Sequence, residues 1–328
     1  AISTDYSLKQ REYVEDSEPK QSTIDGQSSI RVATVKSSYL DFSHSRRQVL
    51  NNPLEFSLES NFDERTILKA ELGYEQNIGS HNTLLFVPYV TDISYEDVSR
   101  LDSKRIGGDF TLSRRLSKTN MVFLEAEIFE STQTLDNDNY DYERFSLGYF
   151  VSLRNIGYEI EVGYNSISPR FGDVSEAPYF NVLIDYASSR QNLTLTGSRR
   201  LTDTSLGRGN EGESSVFNSR SGSNDTVDQL ELTEYSVEYQ INAPCARCQI
   251  KAGVTRFEES YINFRELDTE EITIDTRFSY IFSPKAKLEL SLAKLEANFA
   301  NDSNKDYEEG RAQIKFSYKP NSHWTFAL

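Results

Sequence analysis

Apolar and polar residues alternate with a period of two along most of the chain, the pattern of strands whose two faces meet unlike surroundings. The clearest segment places Ile156, Tyr158, Ile160, Val162 and Tyr164 on one face, with Gly157, Glu159, Glu161, Gly163 and Asn165 on the other. Phe145, Leu147, Tyr149, Val151 and Leu153 repeat it, as do alternate residues of 68–74, 122–128, 180–186, 235–241, 272–282, 288–292 and 310–318. Leu85, Val87 and Tyr89 read as one more apolar face. About 16 to 18 such segments are expected, an even number, most of them long enough to cross a bilayer at a tilt.

The connections carry a second rhythm. Short turns fall at 76–82, 117–118, 154–155, 189–190, 242–248, 283–285 and 319–322, and longer polar loops lie between them at 94–104, 131–140, 167–177, 202–227, 259–268 and 300–306. An outer-membrane barrel has short turns on its periplasmic side and longer loops outside, whereas a soluble sandwich has no reason to keep that order. The fold class expected is therefore all-β, a single transmembrane antiparallel up-and-down β-barrel over residues 1–328, least defined over 1–28. Tyr140, Tyr142, Tyr307 and Tyr318, near strand ends, are expected in an aromatic girdle at the membrane–water interface. One segment resists the scheme: Trp324, Phe326 and Leu328 would head outward, where a barrel ends on a strand returning to the periplasm. A truncated end, a partial strand or a miscount near the N-terminus would each explain it.

Composition fits this reading. Tyr and Phe supply 19 residues each against one Met and one Trp. The mean hydropathy of -0.59 suits a barrel that shows lipid only every second residue. No run approaches the roughly 18 apolar residues of a membrane-spanning helix, and no basic-then-apolar signal peptide opens the sequence at Ala1. A net charge of -16 excludes a nucleic-acid partner, since phosphate binding needs a basic face.

Candidate chemistry is sparse. Gly207-Arg208-Gly209-Asn210-Glu211-Gly212 matches the dinucleotide fingerprint in letters alone, with no strand-turn-helix unit around it. Cys245-Ala246-Arg247-Cys248 sits in a turn, with no second pair or nearby His to complete a zinc site and no helix to activate a thiol; a turn-stapling disulfide or two idle thiols remain. His44, His81 and His323 are scattered, so no catalytic arrangement can be drawn and no enzyme is expected. The acidic run from Asp136 to Asp141 has oxygens but lacks the Gly and distal Glu of a calcium loop. No cofactor or metal is expected.

The polar parity of the strands is more informative, because in a wide barrel it faces water. Glu125, Glu127, Glu159, Glu161, Lys69, Glu71, Arg115, Arg200, Glu234, Glu238, Asp275, Arg277, Glu289, Arg311 and Lys315 would line the lumen. Such a wall either binds sugar hydroxyls and carboxylates or pairs with itself across strands.

Three stretches share a strand, a Leu-Ser-Pro or Leu-Ser-Arg type of turn and a second strand: 110–119 (FTLSRRLSKT), 194–202 (TLTGSRRLT) and 278–292 (FSYIFSPKAKLELSL). Over residues 30–328 the chain thereby resembles outer-membrane barrels associated with exopolysaccharide and PEP-CTERM gene systems. The resemblance implies an outer-membrane porin for polysaccharide export and no catalytic residues; the chain departs from it in the Cys245–Cys248 turn and in its ending. The partners expected are outer-membrane lipid, a polysaccharide substrate and a periplasmic or lumen-bound protein. The competing expectation is a non-catalytic sheath that holds a lipoprotein or a multihaem cytochrome across the membrane.

Overall fold

The computed structural model describes residues 1–11, 21–35, 37–50, 62–97, 101–134, 139–206, 219–220, 228–242, 245, 247–301, 306–319 and 326–327. Its strands are β1 (Ile2–Arg11), β2 (Gln21–Val35), β3 (Ser38–Leu50), β4 (Phe62–Ile78), β5 (Asn82–Tyr95), β6 (Ser103–Arg115), β7 (Asn120–Gln133), β8 (Tyr140–Ser152) and β9 (Ile156–Pro169). They continue as β10 (Ser175–Ala187), β11 (Gln191–Asp203), β12 (Ser219–Arg220), β13 (Gln229–Asn242), β14 (Cys248–Tyr261), β15 (Thr269–Ser283), β16 (Ala286–Phe299), β17 (Tyr307–Tyr318) and β18 (Phe326–Ala327). All eighteen belong to one sheet. Since β12 and β18 are two residues long, sixteen strands can cross a membrane.

Each long strand pairs antiparallel with the next long strand in the chain. This is the up-and-down barrel. Its seam lies between β1 and the β17–β18 edge, where the described residues form no ladder. β17 returns to the rim of short turns, which gives the even count; the described part of the segment that resisted the scheme is only β18, paired with Ser317 and Tyr318. Trp324, Leu328, His323, the glycine motif at 207–212 and residues 136–138 of the acidic run lie outside the described residues.

Alternation places one apolar face outside. Leu68, Leu72, Phe86, Val90, Leu124, Ile128, Phe145, Leu147, Val162, Val254, Ile274, Leu292 and Ile314 are all exposed large hydrophobics, aligned from strand to strand by the ladder register. In water such a belt would be an aggregation hazard; in a bilayer it is the solvated surface. One segment reads differently from its sequence. In β5 it is Leu84, Phe86 and Val90 that share the outer face, paired with Leu112, Phe110 and Ile106, so Leu85, Val87 and Tyr89 point inward. β5 is apolar on both parities, so periodicity alone had no basis for choosing. Tyr140 and Tyr142 are not girdle residues either, being 3% and 5% exposed inside the barrel. Tyr307 packs inward against Ala293, Leu295 and Ala297, while Tyr318 is exposed on the outer face by the short-turn rim.

The two rims are closed by different devices. At the short-turn rim, Gly79 takes φ +71° between β4 and β5, a conformation open to glycine, and the Ser117 hydroxyl accepts the N–H groups of Thr119 and Asn120. Cys245 and Cys248 form a disulfide within the β13–β14 turn. At the opposite rim, an Asp or Asn immediately before a strand accepts the backbone N–H of the last residue of the strand before it. Asp102 holds Tyr95 N–H at 2.7 Å, Asn139 holds Gln133 at 2.7 Å, Asp268 holds Tyr261 at 2.7 Å and Asp306 holds Phe299 at 2.8 Å. Each loop is pinched shut at its base. The β9–β10 connection is shorter than its sequence suggested, because the strands run on to Pro169 and from Ser175.

The belt makes a direct prediction. Replacing Leu147, 54% exposed in the middle of the β8 outer face, with Arg should cost about 2–4 kcal/mol, against roughly 0–1 kcal/mol for Leu153→Arg beside the rim. Urea unfolding of the barrel in liposomes measures both, and equal costs would contradict the placement of the belt.

Candidate functional site

The wall is not uniform. β10 pairs with β9 from Ser175 to Tyr186 but with β11 only from Phe180 to Ala187. Beyond Arg199, β11 stays paired with β13 as far as Asp203 and passes to the inner side of β10. Leu201 belongs by parity to the outer face of β11, yet it is buried against Tyr89, Phe129, Tyr140, Tyr142, Ile167 and Ala177, which point inward from β5 and β7–β10. The parting leaves main-chain groups without ladder partners. Leu201 N is one of them, and the fully buried amide of Asn165 on β9, its oxygen and nitrogen assigned from the groups around them, accepts from it at 2.6 Å while donating to Ala177 O at 2.8 Å. A side chain thus replaces the bond that Leu201 N would make in a continued ladder, which a buried peptide group cannot forgo cheaply.

The infolded end of β11 is fastened by Asp203, which is fully buried. Its Oδ1 accepts from Arg105 at 2.7 Å, from Ser205 N at 3.0 Å and from Ser205 Oγ at 2.7 Å. Its Oδ2 accepts from the Tyr140 hydroxyl and, at 3.4 Å, from Gln133 Nε2. Ser205 in turn accepts at its carbonyl from the Tyr95 hydroxyl at 2.7 Å and at its Oγ from Ser103 at 3.1 Å. Arg105 lies over the Phe129 ring at 5.1 Å. The single turn Thr204–Leu206 is thereby tied to β5, β6, β7 and β8 across the loop-side end of the lumen. Carboxylate and guanidinium are both out of water, and the surrounding donors supply the carboxylate on both oxygens.

Below this latch lies a chamber of about 620 Å³. One side is a panel of rings, Tyr89, Phe129, Tyr140, Tyr142 and Tyr179; the other carries the polar groups of Asn181, Thr196, Ser198 and Thr202. Charges stand between them in pairs. Arg144 binds Glu125 at 2.6 Å and Glu127 at 3.2 Å, and donates to the Tyr179 hydroxyl at 2.6 Å. That hydroxyl donates to Glu161 at 3.0 Å, and Glu161 also accepts from Ser146. Lys69 pairs with Glu71 at 2.7 Å and sits 4.9 Å from the Tyr89 ring centre. Arg200 and Glu234 complete the lining. A second recess of about 300 Å³, nearer the short-turn rim, includes Glu125 and Glu159.

The charged residues read from the strand parity therefore fall into two groups. Lys69, Glu127, Arg200 and Glu234 line the chamber and Glu125 and Glu159 the second recess, while Glu71 and Glu161 join them through Lys69 and the Tyr179 hydroxyl. Glu238 pairs with Lys251 at 2.5 Å, Arg277 with Glu289 at 3.4 Å and Arg311 with Glu309 at 2.6 Å on the β13–β17 side. There Asp275 lies opposite Gly253 and Lys315 opposite Glu289, while Arg115 is exposed at the short-turn end of β6. Sequence reasoning missed Arg105, Arg144, Asn165 and Asp203. Its one available signal was Pro178, which brings no N–H to a ladder and marks β10 as a strand with a free edge.

Asp203→Ala should strand Arg105 in a dry site and lower stability by about 3–5 kcal/mol; urea midpoints of the variant and parent check it, and an unchanged midpoint would show that the latch is not held by this pair. No protein-family model matches the sequence, and no curated protein matches it. Among solved structures, the copper transporter OprC aligns at 9% identity and a TM-score of 0.51 over 90% of this chain and 56% of its own, so the chain spans about 56% of that protein's length. The ferric-catecholate import receptor Fiu of E. coli K12 aligns at 8% identity and TM-score 0.49, over 99% of this chain and 72% of its own. An outer membrane channel from Pseudomonas putida F1 aligns at 9% identity and TM-score 0.38, over 91% and 97%. At these identities the matches bear on the fold alone, and only the first is close enough to support it. With its lipid-facing belt and sixteen crossing strands, the chain is an outer-membrane β-barrel.

Proposed function

We propose that the barrel is a conduit for polar solutes, with the chamber as its selectivity element and the Asp203 latch as the closure at its loop-side end. The chamber itself carries the reading. At about 620 Å³ it is the size of a site for a small molecule or short oligosaccharide. Its ring panel offers apolar faces to the C–H side of a sugar, and its guanidinium, carboxylate and hydroxyl groups offer charge-assisted hydrogen bonds to hydroxyls and carboxylates. An acidic exopolysaccharide passing unit by unit is the substrate class that suits both features, in keeping with the turn motifs at 110–119 and 278–292; the third stretch, 194–202, runs inside β11 and holds no turn. Passage of a polymer requires the latch to release. Outer-membrane lipid surrounds the belt, and a periplasmic partner would meet the short-turn rim. The alternative reading is a sheath that holds a lipoprotein or multihaem cytochrome, and a barrel that purifies with such a protein in its lumen would favour it. No catalytic step belongs to this reading.

The test is current through the refolded chain in a planar bilayer, with trimeric galacturonate added to one chamber. Asp203→Ala should conduct severalfold more than the parent, and the sugar should block both. Tyr179→Ala should weaken the block about tenfold, equivalent to 1.4 kcal/mol. Channels that never conduct, or that conduct without sensing the sugar in any variant, would overturn the proposal.

A further inference from the structure

The parted seam has a second arrangement built into its register. The ladder between β10 and β11 stops at the pair Phe180 and Arg199, but both strands continue beyond it, β10 to Ser175 and β11 to Asp203. Extending the same register would set Tyr179 opposite Arg200, Pro178 opposite Leu201, Ala177 opposite Thr202 and Glu176 opposite Asp203. Parity is preserved throughout. Leu201 would turn outward between Pro178 and Phe180 into lipid, while Arg200 and Thr202 would face the lumen. We infer that the upper ends of β11 and β13 form a shutter, which swings from its infolded position into the wall by zipping β11 onto β10 and so opens the chamber toward the loop side. The inference rests on reading the barrel as a conduit.

The two arrangements exchange a buried network of side-chain bonds for a stretch of ladder. Infolded, the segment holds the Asp203–Arg105 pair, the Asn165 bridge and the buried Leu201. Zipped, it gains ladder bonds between β10 and β11, less the donor that Pro178 lacks. Besides the bonds from Tyr95 and Ser103 to Ser205, charge favours the infolded state: zipping removes Asp203 from Arg105 and sets it directly opposite Glu176, a like-charged cross-strand pair. Neutralising Asp203 removes both terms. β13 and β14 bend with β11, since β11 is paired with β13 up to Asp203 and Gln229 and β13 with β14 up to Leu230 and Tyr261.

The experiment is a disulfide trap in liposomes with the native Cys245–Cys248 bond intact. Pro178→Cys with Leu201→Cys lies across the seam only when zipped, because Pro178 is exposed on the outer face and Leu201 is buried on the inner side of β8–β10; directly opposed strand residues fall within disulfide reach. Phe180→Cys with Arg199→Cys, already opposite one another, should cross-link at once and reports an assembled wall. The trap should close slowly in the parent and about tenfold faster with Asp203→Asn, a shift of 1.4 kcal/mol, and the trapped barrel should conduct severalfold more until reduced. No cross-link in either background, while Asp203→Asn still conducts, would overturn the shutter and leave the conduit. Cross-linking with no current in any form would overturn the conduit and the gate together. If the trap variant does not assemble, hydrogen exchange on Asp203→Asn decides: the amide of Glu176, which faces β11 and stands beyond the present ladder, should gain the protection of the β11-facing amides of 180–187, and unchanged exchange would overturn the inference.

Discussion

A peptide group inside a bilayer has no water to turn to, and everything in this structure follows from satisfying that demand. Sixteen strands meet it by pairing with their chain neighbours, which fixes the up-and-down order and, through parity, decides which side chains meet lipid. Where the demand is relaxed, at the upper end of β10 and β11, the chain compensates with a single buried amide, Asn165. The departure is confined to the wall around the chamber, and the groups that stabilise it are the groups that shape the chamber.

A sheet of this many strands encloses more space than side chains alone would fill. The stretch from β4 to β11 meets the difference by carrying large rings inward and by folding part of its own wall into the lumen; the stretch from β13 to β17 combines inward clusters around Tyr261 and Leu295 with ion pairs along and between its strands. The lumen is consequently polar without being a simple water column. Arg144, for example, is held by two carboxylates and a tyrosine hydroxyl at once, so its donors face the chamber in a set direction. Preorganised donors of this kind discriminate by geometry as much as by charge.

The rhythm of short and long connections made the topology legible before any coordinates, because turn chemistry is local. Facing was legible where the two parities differ, as with Glu159 and Glu161 against Ile160 and Val162, and illegible in β5, where Leu84 and Leu85 are chemically alike. Tyr140 and Tyr142 misled because a ring near a strand end suits an interface and a packed lumen equally well. The latch was beyond reach: Arg105 and Asp203 are 98 residues apart, and nothing in either neighbourhood announces the other. Pro178 was the exception, a local irregularity with a distant consequence.

The carboxylates and amide that pinch the loops at their bases have a use outside transport. With Tyr95 tied to Asp102, Tyr261 to Asp268 and Phe299 to Asp306, the closing bond of each loop lies at its neck and is independent of what the tip contains. Lengthening such a tip adds little closure entropy and leaves the strand register below it undisturbed. The rim is in effect a row of clamped sockets, suited to carrying foreign peptides at the cell surface in fixed positions.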